Sequence, residues 1–315
     1  MWFYVILFIC SLTTAGYCTT DFYNLLAYRV TGSTLSTIST SDDLACAEAC
    51  GKNSSCAAFL LSDESSTCEL MTSLTGIIRD VTECSYYVRK IGTVMVGDKT
   101  LNFIDQLRIS ILYSTDDGCP DGWTSSSATC SSSQMNASTC NQLPSVLGAT
   151  WDGKTCTVPK FTVSYACPSA SYQLYNVSES YYCYLGVPAP SAPDQHWDYY
   201  NNICYEKTQG NLASIHSAEE NLIVNGLGEN KVIGLIPTNG ISGMVTGMSS
   251  IAWFDGTPVD YGNYTYPATG PSISMTYYFT YMAVEGNWIT NKKVLPANTT
   301  LACKVEATRV FNKVN

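Results

Sequence analysis

Cysteine usage constrains this chain more than any other feature. Fifteen cysteines in 315 residues are too many for a reducing compartment and place the protein where disulfides form and persist. The opening "MWFYVILFICSLTTAGYC" is an apolar run, too short for a membrane span, followed by small residues. It reads as a secretory signal peptide over residues 1–16, although no basic residue precedes the run. Cleavage after Gly16 takes Cys10 from the fifteen and leaves fourteen, an even number for a disulfide framework. No cysteine pair has C-x2-C spacing, which speaks against a zinc ribbon. Five N-x-[ST] sequons, at Asn53, Asn136, Asn176, Asn263 and Asn298, fit a secreted, extracellular glycoprotein. After signal cleavage no membrane insertion is expected: no later stretch is long and apolar enough, and the C-terminal "VEATRVFNKVN" is too polar for a lipid-anchor signal.

Charge and motifs remove further classes. A net charge of −10 disfavours nucleic acid and anionic membranes as partners. Charged residues are only 13%, about half the usual share, so the surface is polar but weakly charged. Only two histidines are present, with no G-x-S-x-G elbow and no H-E-x-x-H pair, so no catalytic residue is assigned and the chain is not read as an enzyme.

Along the chain, the first module covers residues 17–90. Thr40 and Asp43 can open a helix through "SDDLACAEAC" and Gly51 can close it. Cys46 and Cys50 then lie on one helical face with Cβ atoms about 5–6 Å apart, too far to bond each other. Cys56 precedes a strand-like "CAAFLL" and Cys68 opens a second strand, "CELM". This C-x3-C-x5-C-x11-C series resembles the PAN/apple family, and more closely its nematode variant, the CW domain. The resemblance implies Cys46–Cys68 and Cys50–Cys56, with Cys18 and Cys84 tying the terminal strands.

Residues 91–166 read as a cysteine-containing connecting segment. "LNFIDQLRISILY" suits a strand or a short helix. "CPDGWTSSSATC" is similar to the opening hairpin of a C-type lectin-like domain, but too few residues follow for a whole one. Two disulfides join Cys119, Cys130, Cys140 and Cys156, and the sequence does not choose among three pairings.

Residues 167–306 carry the strongest pattern. "WDYYNNICYEKTQG" reads as a helix stopped at Gly210, where positive φ is expected. "LASI" follows, then Ser217 and Glu220 as a capping box for a second helix. His216 beside Glu219 and Glu220 has no second histidine within helical reach, so the stretch is scaffold rather than a metal centre. With "VIGL", "AWFDG", "GNW" and "LACK" in order, the series resembles the C-type lectin-like family. That resemblance implies Cys204–Cys303 and Cys167–Cys183. Residues 307–315 are expected as a C-terminal tail. The fold class is therefore α+β: a disulfide-stapled PAN/apple-like domain followed by a C-type lectin-like domain, with two helices, antiparallel sheets and a long loop region.

Many members of that family hold sugar through calcium, which takes six to eight oxygens, several from carboxylates. Here the loop reads "YGNYTYPATGPS" and the tryptophan triplet "WIT", with Ile289 and Thr290 where ligands belong. Between residues 236 and 302 the only carboxylates are Asp255, Asp260 and Glu285, and Lys292 and Lys293 oppose a cation. No cofactor and no calcium are expected. The inner disulfide of the family is missing too, since Tyr281 and Lys293 stand near its positions.

Tyr261, Asn263, Tyr264 and Tyr266 lie among Gly, Asn and Pro and are the candidate ligand-binding residues, because tyrosine offers a flat apolar face with a polar rim. Tyr277, Phe279 and Tyr281, or their alternates, are expected in the core, with Trp253 and Trp288. The resemblance implies glycan or microbial-surface ligands and a part in innate defence; an extracellular protein–protein module is the alternative.

Overall fold

The computed structural model describes residues 22–25, 28–53, 55–62, 65–79, 85–178, 180–190, 197–237, 251–263, 278–292 and 295–314. The N-terminal unit is a five-stranded antiparallel sheet in the order Phe22–Leu25, Ser85–Arg89, Ala58–Ser62, Thr67–Arg79, Tyr28–Ser39. Helix α1 (Asp43–Gly51) lies against it. Asp42 caps this helix by accepting from Leu44 N at 3.0 Å. Gly51 is still helical and the C-cap is Lys52 with ordinary right-handed angles, so the expected glycine stop falls one residue short. Arg89 Nη2 instead closes the end, donating to Cys50 O at 2.7 Å and Asn53 O at 3.1 Å, where the helix dipole favours a cation. Cys46 bonds Cys68 and Cys50 bonds Cys56, packed beneath Phe59, whose ring stacks on Tyr87 at 4.6 Å. Cys18 and Cys84 lie outside the described residues.

Residues 91–166 are more than a connector. The ambiguous apolar run forms helix α2 (Phe103–Leu112), capped by Asn102. Its mixed pattern has a physical cause: a helix buried on two sides carries apolar residues around most of its circumference. Phe103, Ile104, Leu107 and Ile111 cover the N-terminal sheet at Val30, Met71 and Val88, and Phe103 stacks on Tyr23 at 3.8 Å. Ile109, Leu112 and Tyr113 face a second core with Val96, Val158 and Phe161. Beyond it, Thr150–Trp151, Cys156–Pro159, Thr129–Ser132 and Thr124–Ser125 form a four-stranded sheet beside helix α3 (Ala137–Asn141). Of the three possible pairings, the structure takes Cys119–Cys130 and Cys140–Cys156.

The expected tail is also a strand. Thr308–Lys313 pairs antiparallel with Phe161–Ala166 and parallel with Val94–Val96, so it lies inside a sheet. Its polar composition hides one fully buried side chain, Phe311, and one clamp. Arg309 donates to Tyr113 O at 2.5 Å, Thr115 O at 2.7 Å and Asp116 Oδ1 at 2.5 Å, while Tyr165 Oη donates to Asp116 Oδ2 at 2.9 Å.

The C-terminal unit is built on a sheet ordered Gln173–Val177, Ser180–Pro188, Thr299–Glu306, Asn230–Ile233, Tyr278–Met282, Trp288–Lys292, with Asn211–Leu212 pairing alongside Thr299–Glu306. Helices α4 (Trp197–Thr208) and α5 (Ala218–Asn225) precede its central strands. Cys204–Cys303 ties α4 to the sheet, and Cys167–Cys183 ties the incoming chain to its hairpin. The residue with positive φ after α4 is Gln209, at 56°, not Gly210. Gly210 is required for a different reason: a Cβ there would stand 2.3 Å from Lys304 O.

Candidate functional site

The α4–α5 junction sets the geometry of the candidate site. Ser217 caps α5 by accepting from Glu220 N at 3.1 Å. Glu220 completes the motif differently from a standard box, reaching back to His216 N at 2.7 Å rather than to Ser217. Its other oxygen turns inward, where it accepts from Tyr184 Oη at 2.5 Å and pairs with Lys304 Nζ at 2.5 Å. Glu220 is 1% exposed and Lys304 8%, so this is a buried ion pair whose remaining valences need partners. Lys304 finds them in Ser214 O at 3.3 Å and Ser214 Oγ at 3.2 Å, and sits 4.3 Å from the centre of the Tyr182 ring. Ser214 Oγ donates in turn to Asp255 Oδ2 at 2.5 Å. The other Asp255 oxygen accepts from Thr257 N at 3.1 Å and Thr257 Oγ1 at 2.6 Å.

Burial followed by the nearby carboxylates raises both tyrosines in this network. Tyr184 moves far above the ordinary phenol range, and Tyr182 is pushed up to about 12, with Glu306 and Glu220 as the main charges acting on it.

A second hook joins the loop to the junction: His216 Nδ1 meets Asp260 Oδ1 at 2.7 Å. Beneath the hook lie Trp253 and Trp288, both fully buried and packed edge to face at 5.3 Å. Trp288 Nε1 donates to Asn221 Oδ1 at 2.7 Å, which holds the ring against α5.

Of the candidate ligand residues, Tyr261 and Asn263 come together at the base of this loop. Both are half-buried rather than fully displayed. The Tyr261 ring packs 5.7 Å from Trp288. Asn263 O accepts from Trp288 N at 2.8 Å, and Asn263 Nδ2 donates to Gly286 O at 3.0 Å. These bonds run to backbone groups far along the chain and leave no local pattern in the sequence. Tyr264, Tyr266, Tyr277 and Lys293 lie outside the described residues, and the side chains of Phe279 and Lys292 do too.

The sequons occupy varied settings. Asn176 is exposed on a strand, Asn298 sits at φ 58° in a turn, and Asn136 caps α3 by accepting from Thr139 N at 3.0 Å. Asn53 accepts from Ser55 N at 3.0 Å, whereas the Asn263 amide is turned into the scaffold.

Sequence reasoning missed the Glu220–Lys304–Tyr184 network. One signal was available: in "SYYCYLG" Tyr182 and Tyr184 share the strand face opposite Cys183, and the register sets Tyr184 directly against Lys304. Among the described residues no three His, Cys, Asp or Glu side chains converge as a metal shell, and no described helix is long and apolar enough to cross a membrane.

Residues 18–91 match the PAN domain family model. Among solved structures, the chain is similar to a calcium-independent type II antifreeze protein at 28% identity, over 46% of this chain and 97% of that one, with a TM-score of 0.29. It is similar to human lithostathine at 18% identity, over 44% and 98%, with a TM-score of 0.30. A GlcNAc complex of SPL-1 matches at 13% identity, over 44% and 94%, with a TM-score of 0.30. No curated protein matches the chain in sequence. The chain is a mixed α+β, disulfide-stapled protein whose residues 18–91 match the PAN domain family.

Proposed function

We propose that this is a secreted, glycosylated recognition protein whose C-terminal unit binds carbohydrate, on microbial surfaces among others, without a calcium site, and that it serves innate defence. The observation that carries the calcium-free reading is the occupation of the loop carboxylates. Asp255 accepts three hydrogen bonds from Ser214 and Thr257, and Asp260 is paired with His216. Recruiting either for calcium would break bonds that hold the loop. Tyr261 and Asn263, together with Tyr264 and Tyr266 that follow them in the sequence, are the proposed contact set. The sequons, Asn176 and Asn298 foremost, are the proposed glycan carriers.

One observation favours binding to extracellular proteins instead. Leu222 on α5 is 71% exposed and Val284 59%, and Asn225 Nδ2 holds the Val284 carbonyl at 3.1 Å, which brings the turn against the helix. A glycan and microbial-surface array probed with the purified protein separates the readings. Saturable binding to one glycan class is expected. Silence there, with saturable binding on an extracellular-protein array that Leu222→Asp abolishes, supports the second reading.

A further inference from the structure

The seam between the N-terminal sheet and the middle unit contains a groove of about 160 Å³. Ile77 and Ile78 line it from the long strand Thr67–Arg79, Ile111 from α2, and Met135 and Leu143 from the two sides of α3. Ile78 remains 49% exposed at its rim, and Ile77, Ile111, Leu112 and Leu143 are only partly buried against the two neighbouring cores. A single charged side chain lines the groove, Arg108. Gln142 O accepts from Arg108 Nη1 at 3.4 Å, and the guanidinium stands 6.0 Å from the centre of the Tyr28 ring. Among the described residues no carboxylate lies within ion-pair distance of it. In a chain of net charge −10, a guanidinium with no carboxylate partner among the described residues, beside an apolar groove, is a complement for an anion with a hydrocarbon body.

Small-molecule sites concentrate at domain seams, lined by apolar side chains with a few convergent polar groups. The space here is close to the ~150 Å³ cavity that takes one benzene ring, so a short chain fits and a long lipid tail does not. We propose that this groove binds a short aliphatic carboxylate. Its chain lies against Ile77, Ile111 and Leu143, and its carboxylate rests on the Arg108 guanidinium.

The test is a calorimetric titration of the full secreted protein with sodium octanoate, sodium hexanoate and uncharged octan-1-ol. Octanoate should bind saturably at one site, weakening about fourfold for each methylene removed. Octan-1-ol should bind about tenfold more weakly for want of the charge-assisted bond. Arg108→Gln should bring octanoate down to the level of octan-1-ol and leave octan-1-ol unchanged. Gln142→Trp, at an exposed lining position, should abolish both, with an unchanged circular-dichroism spectrum showing that the fold is kept. Absence of saturable octanoate binding overturns the proposal, as does binding that neither substitution affects. Capture of a peptide with an apolar C-terminal residue, with octanoate silent, would assign the groove to a protein partner and overturn it too.

Discussion

Replacing Phe311 by Ala probes the strand that returns from the C-terminal unit into the middle one. Phe311 is fully buried, 5.1 Å from the Tyr113 ring and 6.1 Å from Phe161, with the Arg309 guanidinium 4.9 Å above it. Truncating such a ring removes its burial and leaves a cavity, at about 3–5 kcal/mol, a figure that includes the edge-to-face contacts. Taking about 4 kcal/mol and 1.4 kcal/mol per tenfold, the open population of this unit rises by several hundredfold. Native-state hydrogen exchange is the suitable assay, because a multi-unit chain need not unfold in one step. Protection should fall across Phe161–Ala166 and Val94–Val96, the two strands paired with Thr308–Lys313. Lys313→Ala, at an exposed position of the same strand, should change stability by no more than about 0.5 kcal/mol. If Phe311→Ala costs under about 1 kcal/mol and leaves those amides protected, residues 308–313 are a tail and the reasoning fails.

Further perturbations address the C-terminal unit. Glu220→Gln or Lys304→Met alone should destabilise by about 3–5 kcal/mol in denaturant unfolding, while the double variant should lose much less than the sum, because removing one partner strands a buried charge; a double-variant loss equal to the sum of the two single losses would show that the ion pair is not coupled. Removing Cys204–Cys303, which spans 99 residues, should cost about 4–5 kcal/mol on the loop-entropy account. Glu285→Ala should leave glycan binding within about twofold of wild type, since nothing in the proposed contact set depends on this carboxylate. An ultraviolet pH titration should show Tyr182 and Tyr165 ionising near 12 in the folded protein. Because these values lie above the ordinary phenol value near 10, their contribution to stability is complete below about pH 10 and is lost as pH rises towards 12. Tyrosines that all titrate near 10 in the folded protein would contradict the burial described for Tyr182.

Elements with local chemistry were legible in the sequence. Ser217 marks a helix start because caps act within three or four residues, whereas α1 is capped by Asp42, one residue before the expected Asp43; the ordered fragments from "LASI" to "LACK" carried the two-helix junction. Long-range partners were not legible. Thr308–Lys313 earns its place by pairing with residues that lie about 150 and 215 positions earlier, and a single buried Phe among polar neighbours gives no periodic signal. Helix α2 hid for the opposite reason, since apolar residues on two faces blur the contrast that identifies a helix. At the candidate site, Tyr261 and Asn263 sit in a stretch whose composition reads as displayed loop. The structure packs the Tyr261 ring on Trp288 and ties Asn263 to the backbone of Trp288 and Gly286, contacts that composition does not encode.

The central claim is recognition of carbohydrate without calcium, and the direct test is to titrate the glycan found on the array into the same protein with calcium and again after chelation. The account predicts one affinity in both conditions, because Asp255 and Asp260 stay bonded to Ser214, Thr257 and His216. Affinity that falls tenfold or more in chelator and returns with calcium would contradict it and show that those carboxylates leave their protein partners to hold the ion.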